Sequence, residues 1–321
     1  MLVGVMREAY CGLAGSGVEE RRTMEGEEGF KSGFAGIVGR PNVGKSTLIN
    51  NLVHKKLAIT SDKPQTTRNK IRCILTREDA QIIFVDTPGF HKPRDALGER
   101  LNKAVRETLN EVDVVVFMLD GTQTIGKGDL FIAGELSQLK TPVIAVVNKI
   151  DRLEPDRLEA QIEVVRNLGD YVDIIPLSAK TGENVHALIE KIVEILPPGP
   201  KYYPDDMVTD QPLPFVVAEL IREKVLMLTR EEVPHSVAVV VEEIEKREDR
   251  DLVDIEATIY VERDSQKGII IGKGGRMLKE IGTLAREEIE ALLGEQVFLH
   301  LMVKVEKDWS KHPHLVKRMG Y

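Results

Sequence analysis

Cysteine is almost absent from this 321-residue chain: Cys11 and Cys73 are its only two. Two cysteines exclude a disulfide framework and fit a reduced, cytosolic compartment. Long apolar runs are missing as well. The best, 114–119 and 143–147, are bounded by Asp113, Asp120 and Asn148. They fall far short of the roughly eighteen residues that a membrane span needs. No signal peptide is legible, because Arg7 and Glu8 interrupt the N-terminus before an apolar core forms. An excess of positive charge is also lacking. Lys and Arg number 44 against 52 Asp and Glu, a net charge of −8. That excludes a generally basic nucleic-acid coat and leaves only a local basic surface open.

What remains is 42% hydrophobic and 30% charged, the balance of a globular chain able to bury a core. Its length suits two domains. Six of the 15 prolines lie between Pro197 and Pro214. Proline donates no amide hydrogen and restricts its neighbour, so this stretch reads as a stiff linker. The expected division is an N-terminal extension over 1–30, a first domain over 31–199, a linker over 200–213 and a second domain over 214–321.

In the first domain, short apolar runs at 34–38, 82–85, 114–119, 143–147 and 174–177 alternate with helical patterns at 45–53, 98–110, 128–139 and 184–195. That alternation predicts an α/β domain with a mostly parallel sheet and helices on both faces. The second domain follows a different pattern. A helix at 215–228 precedes strands at 237–244 and 252–262, the latter placing Val253, Ile255, Ala257, Ile259 and Val261 on one face. An apolar lead-in at 268–271, a glycine turn, a helix striped by Met277, Leu278, Ile281, Leu284, Ala285, Ile289 and Leu292, and a strand at 297–305 complete a small α+β domain.

The segment 39–46, GRPNVGKS, satisfies G-x-x-x-x-G-K-[ST] between a predicted strand and a predicted helix. Gly39, Asn42, Val43 and Gly44 let backbone amides wrap a phosphate chain, and the helix start adds partial positive charge. Lys45 is placed to reach the β- and γ-phosphates, Ser46 to ligate Mg²⁺, and Thr47 follows them. The base is chosen elsewhere. Asn148, Lys149 and Asp151 end the buried run 143–147. One carboxylate at Asp151 can accept both N1–H and N2–H of guanine, whereas adenine offers neither, which argues against an ATPase. Ser178, Ala179 and Lys180 end the fifth strand, where the Ala179 amide is placed to meet the guanine carbonyl.

Asp86 ends the run 82–85 and begins D-T-P-G, where it can hold a Mg²⁺ water and Gly89 can present its amide to a γ-phosphate. Either Thr66 or Thr67 can complete the Mg²⁺ shell. In Ras-like enzymes a glutamine that orients the attacking water follows this motif. Phe90 stands there, so slow intrinsic hydrolysis is expected, with backbone, ordered water or a partner assisting. A nucleotide site with a purely structural role is the alternative.

A second glycine loop, Gly272-Lys273-Gly274-Gly275, lies between two helical segments, preceded by Ile271 and followed by Arg276 and Lys279. G-x-x-G in an α-β-β-α-α-β frame is the pattern of a KH domain, where glycines admit a sugar-phosphate backbone. The span 201–321 is acidic, with 18 Lys and Arg against 24 Asp and Glu. Yet 263–286 holds six basic residues against two acidic ones, a local +4 around the loop.

These motifs, with KPQTTRNKIR (63–72), DTPGFHKP (86–93), IIGKGG (270–275) and the closing VEKDWSKHPHLVKRMGY (305–321), resemble the Era family of bacterial GTPases from about residue 33 onward. The resemblance implies a P-loop GTPase domain followed by a type II KH domain. It implies binding and hydrolysis of GTP with Mg²⁺, through Lys45, Ser46, Thr67 rather than Thr66, Asp86, Gly89, Asn148 and Asp151. It implies binding of the 3′ end of 16S ribosomal RNA through 272–275, a role in small ribosomal subunit maturation, and in some members peripheral membrane association. Related GTPases with an asparagine at position 42 suggest a K⁺ site there; a turn residue is the other reading of Asn42. Residues 1–30 depart from the family, which favours a start at Met24.

Overall fold

The computed structural model describes residues 29–53, 71–86, 109–229, 237–247 and 249–319. The helix expected over 98–110 falls almost wholly outside them. By its contacts the chain divides between Asp210 and Gln211.

The first unit is built on six strands: β1 (Lys31–Gly39), β2 (Ile71–Thr76), β3 (Ala80–Asp86), β4 (Val114–Asp120), β5 (Val143–Asn148) and β6 (Asp173–Leu177). Their order is β2-β3-β1-β4-β5-β6, parallel throughout except for β2, which runs antiparallel to β3 at the edge. Every residue of β4 and β5 is buried, so neither strand needs an alternating pattern. The helices are α1 (Lys45–Val53), α2 (Lys127–Leu136), α3 (Pro155–Arg166) and α4 (Val185–Ile195). β2 and α3 escape the sequence pattern for opposite reasons. β2 is short and sits at the edge, and α3 is a solvated helix that buries only Val165.

The segment expected to be a linker is fastened to the first unit as far as Asp210. Buried Gln81 on β3 donates to the Tyr203 carbonyl at 2.8 Å and accepts from the Tyr202 and Tyr203 amides at 2.7 and 3.0 Å. The Ile74 amide donates to the Val208 carbonyl at 2.9 Å, and the Thr209 hydroxyl donates to the Arg72 carbonyl at 2.7 Å. Arg72 pairs with Asp210 at 2.8 Å. Proline removes donors from this strap, so β2 and β3 supply side chains and amides that hold it.

The second unit consists of α5 (Leu213–Leu228), β7 (Ala238–Lys246), β8 (Leu252–Val261), α6 (Asp264–Ile271), α7 (Arg276–Leu293), β9 (Gln296–Val305) and the short C-terminal α8 (Pro313–Arg318). β8 is central, antiparallel to β7 and parallel to β9. The alternating face of β8 is buried, as its pattern predicts, and packs with Ile281, Ala285 and Ile289 of α7. The apolar lead-in is itself a helix, α6, of which Ile270 enters the core. Leu293, outside the expected stripe of α7, is buried, whereas Leu292 is only partly so.

Candidate functional site: a phosphate loop and a glycine-bounded groove

Parallel strands align the carboxyl ends of β1, β4, β5 and β6 along one margin: Gly39 lies opposite Met118, Asp120 opposite Asn148, and Asn148 opposite Leu177. Open α/β sheets bind ligands at such a margin. The loop leaving β1 enters α1 at Lys45, so the amino end of a nine-residue helix faces the same place. Gly44 has φ of 107°, and a Cβ on it would meet Asn148 Nδ2 at 2.2 Å. Only glycine lets this loop lie against β5.

Asn148 is nearly fully buried and bridges three motifs. Its Nδ2 donates to the Val43 carbonyl at 2.7 Å, and its Oδ1 accepts from the Ala179 amide at 2.9 Å. The Ala179 amide, expected to meet a guanine carbonyl, donates to Asn148 in this structure. Lys149, at φ 70°, is held on both sides. Its Nζ donates to the Asn42 carbonyl at 2.9 Å and pairs with Asp120 at 2.6 Å. Burial pushes the Asp120 carboxyl up, but Lys149 and the hydroxyl and amide of Thr122 outweigh it, leaving it below the usual carboxylate range. Exposed Asp151 is aimed by buried Ser178, whose Oγ donates to Asp151 Oδ1 at 2.6 Å. Lys180 is exposed beside them.

Lys45 folds back over the loop, donating to the Gly39 and Arg40 carbonyls at 3.1 and 3.0 Å. Val43 is buried, Ser46 and Thr47 half-buried. Asn42 adopts φ of 66°, a left-handed conformation that asparagine tolerates better than most residues. Asp86 closes β3 opposite Ile37. Thr66, Thr67, Gly89 and Phe90 lie outside the described residues. Arg40, Asp129 and Asp120 carry no role in the sequence pattern. Arg40 pairs with buried Asp129 at 2.8 Å, tethering the loop to α2, and Asp120 anchors Lys149. Only Asp120 carried a hint, as the acid that closes an apolar strand.

In the second unit, Gly272 ends α6 with φ of 71°, and a Cβ there would strike the Met277 Cβ at 2.7 Å. Gly274 and Gly275 would meet nothing within 4 Å. Their backbone therefore faces open space at the start of α7, with Lys273, Arg276 and Lys279 exposed and Ile271 half-buried. From Gly275 a groove of about 420 Å³ runs between α7 and β9, lined by Leu278, Lys279, Thr283, Arg286, Phe298 and Leu301 among others. Thr283 and Phe298 were not anticipated.

Phosphate loop, N-K-x-D strand end and G-x-x-G helix pair together define a guanine-nucleotide-binding domain followed by a KH domain. The comparisons with known proteins agree. Residues 34–149 match the model of the 50S ribosome-binding GTPase family, and residues 232–310 that of the KH domain. A crystal structure of Era in complex with MgGDPNP and nucleotides 1506–1542 of 16S ribosomal RNA is 42% identical, over 91% of this chain and 99% of that one, with a TM-score of 0.87. A variant of Era from Aquifex aeolicus bound to GDP and AlF₄⁻ is 41% identical over the same shares, also at 0.87. The chain belongs to the Era family of GTPases.

Proposed function

We propose that the chain binds GTP at the margin formed by β1, β5 and β6, hydrolyses it slowly to GDP and phosphate, and binds single-stranded RNA through the loop 272–275. The observation that carries the nucleotide reading is the bridge from Asn148 to Val43 and Ala179 beside an Asp151 aimed by Ser178. These contacts fit a guanine base against β5 and its phosphates on the amino end of α1. Asp151 accepts the two guanine donors, Lys149 lies along the loop, and Lys45 exchanges its carbonyl partners for phosphate oxygens. Ser46, Thr67 and Asp86 would hold Mg²⁺, which neutralises charge on the β- and γ-phosphates. Phe90 cannot orient water, so backbone such as the Gly89 amide, ordered water or a partner takes that task. The conformation of Asn42 accounts for the residue without an ion; K⁺ at this position rests on resemblance.

The RNA reading draws on the open backbone of Gly274 and Gly275 within a local +4. The related Era holds nucleotides 1506–1542 of 16S ribosomal RNA together with MgGDPNP. We assign this chain the same partner, the 3′ end of 16S ribosomal RNA, and through it a role in maturing the small ribosomal subunit. Nucleotide state is coupled to RNA affinity. The strap gives that coupling a route, because β2 follows Thr67 and β3 precedes Gly89 along the chain, and only Gln211 and Pro212 separate Asp210 from α5. Among the described residues no helix is long and apolar enough to cross a membrane; peripheral membrane association and a cytoplasmic location rest on resemblance and composition.

The test is multiple-turnover GTP hydrolysis by the purified chain, with nucleotide binding by Asp151→Asn measured alongside. Asparagine cannot accept both guanine donors but suits xanthine, whose second carbonyl it can meet. Turnover by the parent, with loss of GTP binding and gain of xanthosine triphosphate binding in the variant, is the expected result. Equal GTP affinity in both proteins would refute the assignment of Asp151.

A further inference from the structure

β9 is an edge strand of the second sheet. Its Val297, Leu299, Leu301, Val303 and Val305 pack toward the core, and Phe298 is out of phase with them. The Phe298 side chain is left 56% exposed. It lines the rim of the groove together with Arg286, which lies 11 residues along α7 from Gly275. At helical rise that is about 16 Å, enough for a short run of nucleotides between the glycine loop and the ring.

The ring has a charged neighbour. The Arg247 guanidinium lies 5.8 Å from its centroid. That guanidinium is fixed by two hydrogen bonds to Asp254, at 2.5 and 2.9 Å, and Asp254 sits opposite Phe298 in the strand register. Asp254 matches the charge of Arg247, and the guanidinium orients the ring. The result is an aromatic ring on the outer face of an edge strand, on the side away from α7, next to a groove that carries two cations, Lys279 and Arg286. Aromatic faces of this kind stack on any nucleobase.

We propose that Phe298 is the stacking platform for the nucleobase at the end of the bound RNA segment farthest from the 272–275 loop. It extends the footprint beyond the glycine loop and fixes where that footprint ends. The proposal rests on the reading of the second unit as an RNA-binding domain. Lys279 and Arg286 favour RNA over a protein partner, because they line the same groove and leave the platform itself neutral. Arg247 is a positioning residue.

The experiment measures affinities of the full chain, with GDPNP bound, for nested single-stranded oligonucleotides from the 3′ end of 16S ribosomal RNA, shortened one nucleotide at a time from either end. Phe298→Ala is expected to weaken binding of the full-length oligonucleotide by about 5- to 150-fold. It should have no effect once the terminal base has been removed, and Phe298→Tyr should restore affinity. Arg247→Met should show a smaller loss with the same length dependence. Equal binding by Phe298→Ala and the parent, while Gly274→Asp abolishes binding, would overturn the platform and leave the RNA reading intact. A loss equal for every length would also overturn it. If the parent binds none of these oligonucleotides, the RNA reading fails and the platform with it. The exposed ring makes Phe298→Ala safe for folding, and a thermal melt checks this.

Discussion

The side-chain amide of Asn148 donates to the carbonyl of Val43 at 2.7 Å, fastening the end of β5 to the phosphate-binding loop. Because its Oδ1 also takes the Ala179 amide, Asn148→Ala orphans two buried backbone groups. Each orphan costs about 1–3 kcal/mol, so stability should fall by about 2–6 kcal/mol, with GTP affinity falling in parallel. Asn148→Asp keeps the acceptor for Ala179 but sets a buried carboxylate against the Val43 carbonyl, so it should fall at least as far as Asn148→Ala. Chemical denaturation and nucleotide titration of the three proteins check the order.

Asp120 ties stability to pH. Its folded pKa lies below the ordinary value, because Lys149 and Thr122 outweigh its burial. In the window between the folded value and about 3.9 the unfolded chain binds more protons, so stability rises with pH there. The contribution is fully present above the unfolded value and is lost as pH falls through the folded one. Asp120→Asn should lower stability at neutral pH and flatten the acid limb. Urea midpoints from about pH 3 to pH 7 provide the comparison; parallel curves for both proteins would remove Asp120 as the cause.

Gln81 should matter more than its distance from the nucleotide suggests. Gln81→Leu keeps the volume and strips the Tyr202 and Tyr203 amides and the Tyr203 carbonyl of their partner. A loss of about 2–4 kcal/mol is expected, with faster hydrogen exchange at the Tyr202 and Tyr203 amides. Arg72→Met breaks a half-exposed ion pair with Asp210 and should cost no more than about 1 kcal/mol. Exchange at the two tyrosine amides unchanged in Gln81→Leu would show that the strap is held by other contacts.

Much of this was legible in the chain. Buried parallel strands announce themselves as unbroken apolar runs, and β4 and β5 did so. Phosphate loops and G-x-x-G turns are equally legible, because glycine there meets a steric demand, as at Gly44 and Gly272. What the sequence hid is tertiary. Arg40 with Asp129, Lys149 with Asp120, and Gln81 with Tyr203 join residues from 29 to 122 positions apart, and no local pattern marks such pairs. Proline content warned of an irregular segment from 197, which ends where α5 begins at Leu213, but said nothing of what it touches. Phe298 was read past because the strand pattern directs attention to its inward-facing neighbours.

The most direct test of a nucleotide-coupled RNA binder is the affinity of the full chain for the 3′-terminal 16S ribosomal RNA segment, measured with GDPNP and again with GDP under one salt condition. Tighter binding with GDPNP is the expected result, consistent with the related Era that holds this RNA together with MgGDPNP. Equal affinities in the two nucleotide states would contradict the coupling, and absence of binding in both would contradict the RNA assignment itself.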